Sequence, residues 1–88
     1  MNKKENSSVT RLLDIMDELR EKCPWDREQT MESLKTLTIE ESYELLDAIN
    51  EKDYVEIKNE LGDLLLHILF YAKLGEEKKL FSIIVLSG

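Results

Sequence analysis

Val9, Leu12, Leu13, Met16 and Leu19 recur at spacings of three and four with charged residues between them, which predicts an amphipathic helix over about 8–22 capped by Ser7 or Ser8. Cys23-Pro24-Trp25-Asp26 stops it, because Pro24 lacks a backbone donor and biases Cys23 away from helical angles. Asp26 followed by Gln29 has the form of a capping pair for the next turn. Helical periodicity resumes over about 30–50, as one kinked helix or as a short and a long one, since Thr38 with Glu41 forms a second capping box. Asp53 with Glu56 caps a last helix that starts at Tyr54 and that Gly75 would end. No strand alternation precedes residue 80, so the expected fold is all-α, an antiparallel helical hairpin bundle. Residues 80–88 read as an atypical apolar tail, residues 1–7 as a flexible lead and residues 8–79 as the single domain. The tail holds Phe81, Ile83, Ile84, Val85 and Leu86 without a charge, a composition that favours β structure or contact with something else.

Eighty-eight residues allow one domain with a thin core. A lone three-helix unit is expected to leave Leu65, Ile68, Leu69 and Ala72 without cover, so the bundle is expected to be completed by oligomerisation, as a homodimer or a higher symmetric assembly. With Cys23 the single cysteine, no intramolecular disulfide forms, and the reading is a reducing, cytoplasmic protein in which Cys23 is a small buried apolar residue. No apolar run approaches the ~20 residues of a membrane span, so no membrane partner is expected.

The net charge is −7, and it is local: between Thr38 and Asp63 nine acids face only Lys52 and Lys58, while elsewhere ten acids balance ten bases. An acidic face disfavours nucleic acid, whose phosphates require a basic one, and leaves a metal ion as the counter-charge. If the helices on either side of Lys52 lie antiparallel, Glu44 stands level with Glu60 and Glu41 with Asp63, at ~12 and ~16 Å from the turn by the helical rise per residue. Rotation at ~100° per residue turns Glu41 and Glu44 inward, while Glu40 and Asp47 turn away from the apolar stripe of Leu45, Leu46 and Ile49. Glu60 and Asp63 flank Leu64, His67 and Tyr71 on a helix that is apolar nearly all round and gives those acids little route to water. Acids at spacing three are commonly a solvated face; four of them level beside apolar residues repel or hold protons unless a divalent ion is present. All-oxygen ligation suits Mg²⁺, with Mn²⁺ a substitute. His67 is read either as a further ligand or as a packed, hydrogen-bonded side chain. Trp25 either stacks on a nucleobase or plugs the core, Lys35 is either a phosphate contact or a surface lysine, and Gly62 leaves room for another helix.

Leu12-Leu13-Asp14-Ile15-Met16, Leu19-Arg20, Cys23-Pro24-Trp25-Asp26, Gln29-Thr30, Glu32-Ser33-Leu34-Lys35, Glu40-Glu41-Ser42-Tyr43-Glu44 and Glu60-Leu61-Gly62-Asp63-Leu64-Leu65 occur in order. From about Val9 to Phe81 the sequence resembles the MazG family of nucleoside triphosphate pyrophosphohydrolases, all-α enzymes that usually dimerise. The resemblance implies that Glu41, Glu44, Glu60 and Asp63 hold Mg²⁺ and act in catalysis. It also implies that a nucleoside triphosphate is cleaved to a monophosphate and pyrophosphate, as housekeeping of the nucleotide pool. Where the family has a further helix with a basic stretch, this chain reads Ile83-Ile84-Val85-Leu86-Ser87-Gly88. The expectation that follows is a short enzyme or, alternatively, a truncated and catalytically impaired metal-binding or dimerisation module.

Overall fold

Thr30 and Asp53 start the two helices that carry the acidic residues. In the computed structural model, which describes residues 3–81, the chain forms α1 (Lys3–Lys22), α2 (Pro24–Glu28), α3 (Met31–Asn50) and α4 (Tyr54–Glu77), and no strand occurs among the described residues. At α3, Thr30 Oγ1 accepts the Ser33 backbone N–H at 3.1 Å and Ser33 Oγ accepts that of Thr30 at 2.8 Å, a reciprocal capping box. At α4, the Asp53 carboxylate accepts the Glu56 N–H at 3.1 Å, as the sequence suggests.

Other end signals act differently from expectation. α1 begins at Lys3 rather than behind Ser7 or Ser8, because no Gly or Pro interrupts the residues ahead of them. Asp26 and Gln29 do not open a helix: Pro24 occupies the first position of α2, and Thr30 with Ser33 opens α3. Thr38 is no helix start either, since its hydroxyl donates to the Leu34 carbonyl one turn back at 3.1 Å, inside a continuous α3. α4 passes Gly75 and ends at Glu77. The left-handed residue there is Lys79 (φ 59°), with Lys79 N–H on the Glu76 carbonyl and Leu80 N–H on the Gly75 carbonyl, each at 2.9 Å. Gly75 serves packing instead: a methyl group at that position would collide with the Phe81 ring. α3 closes in the same way, with Lys52 at φ 55° and Asp53 N–H on the Ala48 carbonyl at 3.0 Å. From Ser82 onward the apolar tail lies outside the described residues, as do Met1 and Asn2.

α3 and α4 pair as the antiparallel hairpin, and α1 lies across the C-terminal half of α4. The core is Met16, Leu34, Leu69, Phe70 and Leu74, rimmed by Leu12, Leu13, Met31, Leu37 and Tyr71. Leu69 and Ala72, expected to lack cover, are buried, while Leu65 and Ile68 remain 39% and 51% exposed. α1 therefore covers the last turns of α4 and leaves the half near the loop open. Leu46 and Ile49 are exposed too and Leu45 is half-buried, so two of the three residues of the apolar stripe face outward in the single chain. Leu19 is exposed as well, and Trp25 is 53% exposed, which removes it from the core. Cys23 is half-buried rather than enclosed. Gly62 has open space around it, so no helix among the described residues uses the room.

Arg20 ties the end of α1 to the rest. Its guanidinium donates to both oxygens of Glu77, at 2.8 and 3.0 Å, and to the carbonyls of Asp26 and Gln29, while lying 6.0 Å from the centroid of the Phe70 ring. This forked pair raises the Arg20 pKa and holds the Glu77 carboxyl below its ordinary range. A second pair, Lys73 to Asp17 at 2.7 Å, links α1 to α4 further along. No helix among the described residues is long and apolar enough to cross a membrane.

Candidate metal centre

The turn at 51–53 sets which residues of α3 and α4 stand opposite each other, and one rung of the hairpin is acidic. Glu41 on α3 and Glu60 and Asp63 on α4 each bring a carboxylate oxygen within 4.8 Å of the others. Glu41 is half-buried, Glu60 is buried at 8% exposure and Asp63 is exposed, so of the two α4 acids only Glu60 is cut off from water. Asp63 opens the trio to solvent. Glu41 Oε1 and Glu60 Oε2 are buried with no hydrogen-bond partner. Such an orphaned anionic oxygen is costly, and a cation relieves it.

The electrostatics agree with the geometry. The neighbouring Glu41 carboxyl, followed by burial, pushes the Glu60 pKa up. Contact with Glu60 does the same to Glu44. Two carboxyl groups can share a hydrogen bond only when one keeps its proton, so a metal-free site draws protons in place of a cation. Glu44 is exposed, outside the trio, on the side of Glu60 toward the loop. Beside it an open cleft of about 390 Å³ is lined mainly by acids, among them Asp47, Glu51 and Glu56. The donor set is all oxygen with one water-facing member, which fits a hard divalent ion such as Mg²⁺ or Mn²⁺.

The remaining candidates separate. Glu40 is exposed on α3 and outside the trio. Lys35 is exposed and paired with Glu32 at 3.0 Å, an exposed contact of little energetic weight. Trp25 presents its indole on α2, with its carbonyl accepting from the Gln29 side chain at 3.0 Å. His67 is half-buried, and its Nδ1 lies 3.0 Å from Thr38 Oγ1, the packed and hydrogen-bonded alternative. Thr38 also meets the Tyr71 hydroxyl at 2.6 Å. Sequence reasoning missed this contact because it read Thr38 as a helix cap; the signal available was the level placement of Thr38 and His67 one turn beyond Glu41 and Asp63.

Comparison with known proteins adds a family to this geometry. The sequence profile of the MazG nucleotide pyrophosphohydrolase domain matches residues 29–85, most of the chain and all of the acidic hairpin. The chain belongs to the MazG family. Over 78 residues it is 45% identical to the nucleoside triphosphate pyrophosphohydrolase of Escherichia coli (strain K12), covering 85% of this chain and 30% of that protein. It is 51% identical over 74 residues to the nucleoside triphosphate pyrophosphohydrolase/pyrophosphatase MazG of Thermotoga maritima, covering 82% of this chain and 29% of that protein. To the nucleoside triphosphate pyrophosphohydrolase of Mycobacterium tuberculosis it is 47% identical over 70 residues, 76% of this chain and 22% of the relative. This MazG chain thus spans less than a third of the length of these relatives, and the resemblance read from its motifs is borne out as a family.

Proposed function

We propose that this chain is a divalent-dependent nucleoside triphosphate pyrophosphohydrolase that uses Mg²⁺, with Mn²⁺ as a substitute, and releases a nucleoside monophosphate and pyrophosphate. One observation carries the reading: Glu41, Glu60 and Asp63 converge within 4.8 Å, and two of their oxygens are buried without a partner. The names of the relatives from Escherichia coli and Thermotoga maritima support the reaction class. Glu41, Glu60 and Asp63 would hold the metal, and Glu44 would complete the acidic wall. A divalent ion bound there supplies positive charge against phosphate oxygens and lowers the pKa of a coordinated water. Glu44, exposed beside Glu60 and lining the open cleft, is the carboxylate we assign to receive the water's proton. No nucleophilic side chain is required.

In this reading the exposed Trp25 indole stacks on the nucleobase, and Lys35 leaves Glu32 to meet a phosphate. The outward apolar residues Leu46, Ile49, Leu61, Leu65 and Ile68 support a homodimer in which a second copy covers the open half of the hairpin. A lone half-buried cysteine accords with a cytoplasmic setting. The deciding experiment is product analysis with a panel of nucleoside triphosphates in Mg²⁺. Pyrophosphate should be the first product, lost in Glu44→Gln and Glu60→Gln; orthophosphate as first product, or turnover that survives chelation, rejects the reading.

A further inference from the structure

One turn from the acidic trio, the hairpin carries a second polar rung. Thr38 on α3 contacts the Leu34 carbonyl at 3.1 Å, His67 Nδ1 at 3.0 Å and the Tyr71 hydroxyl at 2.6 Å. A threonine hydroxyl has one proton and two lone pairs. With the proton on the Leu34 carbonyl, which can only accept, both lone pairs accept, and His67 Nδ1–H and Tyr71 O–H are the donors. In that arrangement the three contacts use the full capacity of Oγ1, and His67 carries its proton on Nδ1. Apolar contacts alone tolerate small slides and rotations between helices, whereas a saturated hydroxyl held by two side chains one turn apart does not. Thr38 lies three residues before Glu41, and His67 lies four after Asp63. Any slip of α3 along α4 at this rung is passed through about one turn of rigid helix to the carboxylates.

We infer that Thr38, His67 and Tyr71 form a clamp that sets the register and rotation of α3 against α4, and so positions Glu41 and Asp63 for a shared metal ion. They are positioning residues, and their assignment rests on the metal reading above. Sequence inspection leaves His67 between ligand and packed residue; the clamp gives it a task that needs neither coordination nor titration.

The test is Mn²⁺ affinity by calorimetric titration on the full chain, with helix content followed by circular dichroism. Thr38→Val keeps the shape and deletes the hydroxyl. It should remain helical and bind Mn²⁺ about tenfold more weakly, the low end of what outer partners contribute at metal sites. Thr38→Ser restores the hydroxyl and should restore affinity, which a loss of packing alone would not do. Tyr71→Phe removes one donor at a half-buried position and serves if Thr38→Val fails to fold; its affinity should also fall. Wild-type affinity in Thr38→Val, or in Tyr71→Phe where the former is unfolded, overturns the clamp and leaves the metal site standing. Failure of the unaltered chain to bind Mn²⁺ overturns the metal site, and the clamp with it.

Discussion

Glu41 and Glu60 meet across the α3–α4 hairpin with one buried carboxylate oxygen each that no donor reaches. A fold that sets two anions together has left a requirement for a cation or a proton. Millimolar Mg²⁺ or Mn²⁺ should therefore raise the melting temperature, since a ligand of the folded state at a hundredfold excess over its dissociation constant stabilises by about 2.7 kcal/mol. Glu60→Gln should split the effect: its amide gives Glu41 a donor and raises metal-free stability, while the response to metal disappears. Scanning calorimetry with and without chelator measures both. Equal melting temperatures for the unaltered chain in chelator and in metal would sink the converging-carboxylate site.

The pH dependence follows from two opposite groups of shifts. Glu44 and Glu60 are raised in the folded chain, so it holds protons that the unfolded chain has released, and metal-free stability falls as pH rises from the ordinary carboxylate range. Glu77 is lowered by Arg20, so its contribution is full above the ordinary carboxylate pKa and is lost as pH falls through its depressed value. Metal-free stability should peak in mild acid, and Mg²⁺ should remove the fall toward neutral pH. Glu77→Gln should lower stability at neutral pH and match the unaltered chain in strong acid. Thermal melts across pH read each limb; a Glu77→Gln deficit that persists unchanged into acid contradicts the assignment to the ion pair.

The hairpin and its acidic rung were legible because both depend on local rules. Asp53 caps α4, the turn falls at Lys52, and helical rise sets Glu41 level with Asp63 and Glu44 level with Glu60; the structure brings Glu41, Glu60 and Asp63 together and leaves Glu44 outside that trio. What α1 covers was not legible. Whether Leu69 or Leu65 is buried depends on where one helix crosses another, and the periodicity of α4 is equally apolar at both. Arg20 was opaque for a related reason: its partners Glu77, Asp26 and Gln29 are brought together by tertiary packing, up to 57 residues apart in sequence. Thr38 shows the reverse error, a local capping signal overridden because Thr30 and Ser33 had already opened the helix.

Lys52 and Lys79 occupy left-handed positions where glycine is the favoured residue. Neither fold logic nor the acidic site requires a side chain at Lys52 to adopt φ 55°. Lys52→Gly should relieve the steric cost and, after the entropy that glycine adds to the unfolded chain, stabilise by roughly 0.5–1 kcal/mol. Urea denaturation is sensitive enough to see it. A loss of stability would mean that Lys52 contributes contacts to the surrounding acids that outweigh the backbone strain.

The open half of the hairpin carries the last prediction. Leu46 and Ile49 on α3 and Leu61, Leu65 and Ile68 on α4 are each between 39% and 54% exposed, while the cover supplied by α1 stops at the far end of α4. At about 25 cal/mol per Å² of apolar surface removed from water, a self-complementary contact over such a face has a substantial driving force. Sedimentation at micromolar concentration should give a species heavier than one chain. Replacing Leu65 and Ile68 together by glutamate should return it to the mass of a single chain with its helix content intact, because neither side chain is buried within the chain. A single-chain mass for the unaltered protein refutes association, and an unchanged heavier mass in the double variant moves the contact to another face.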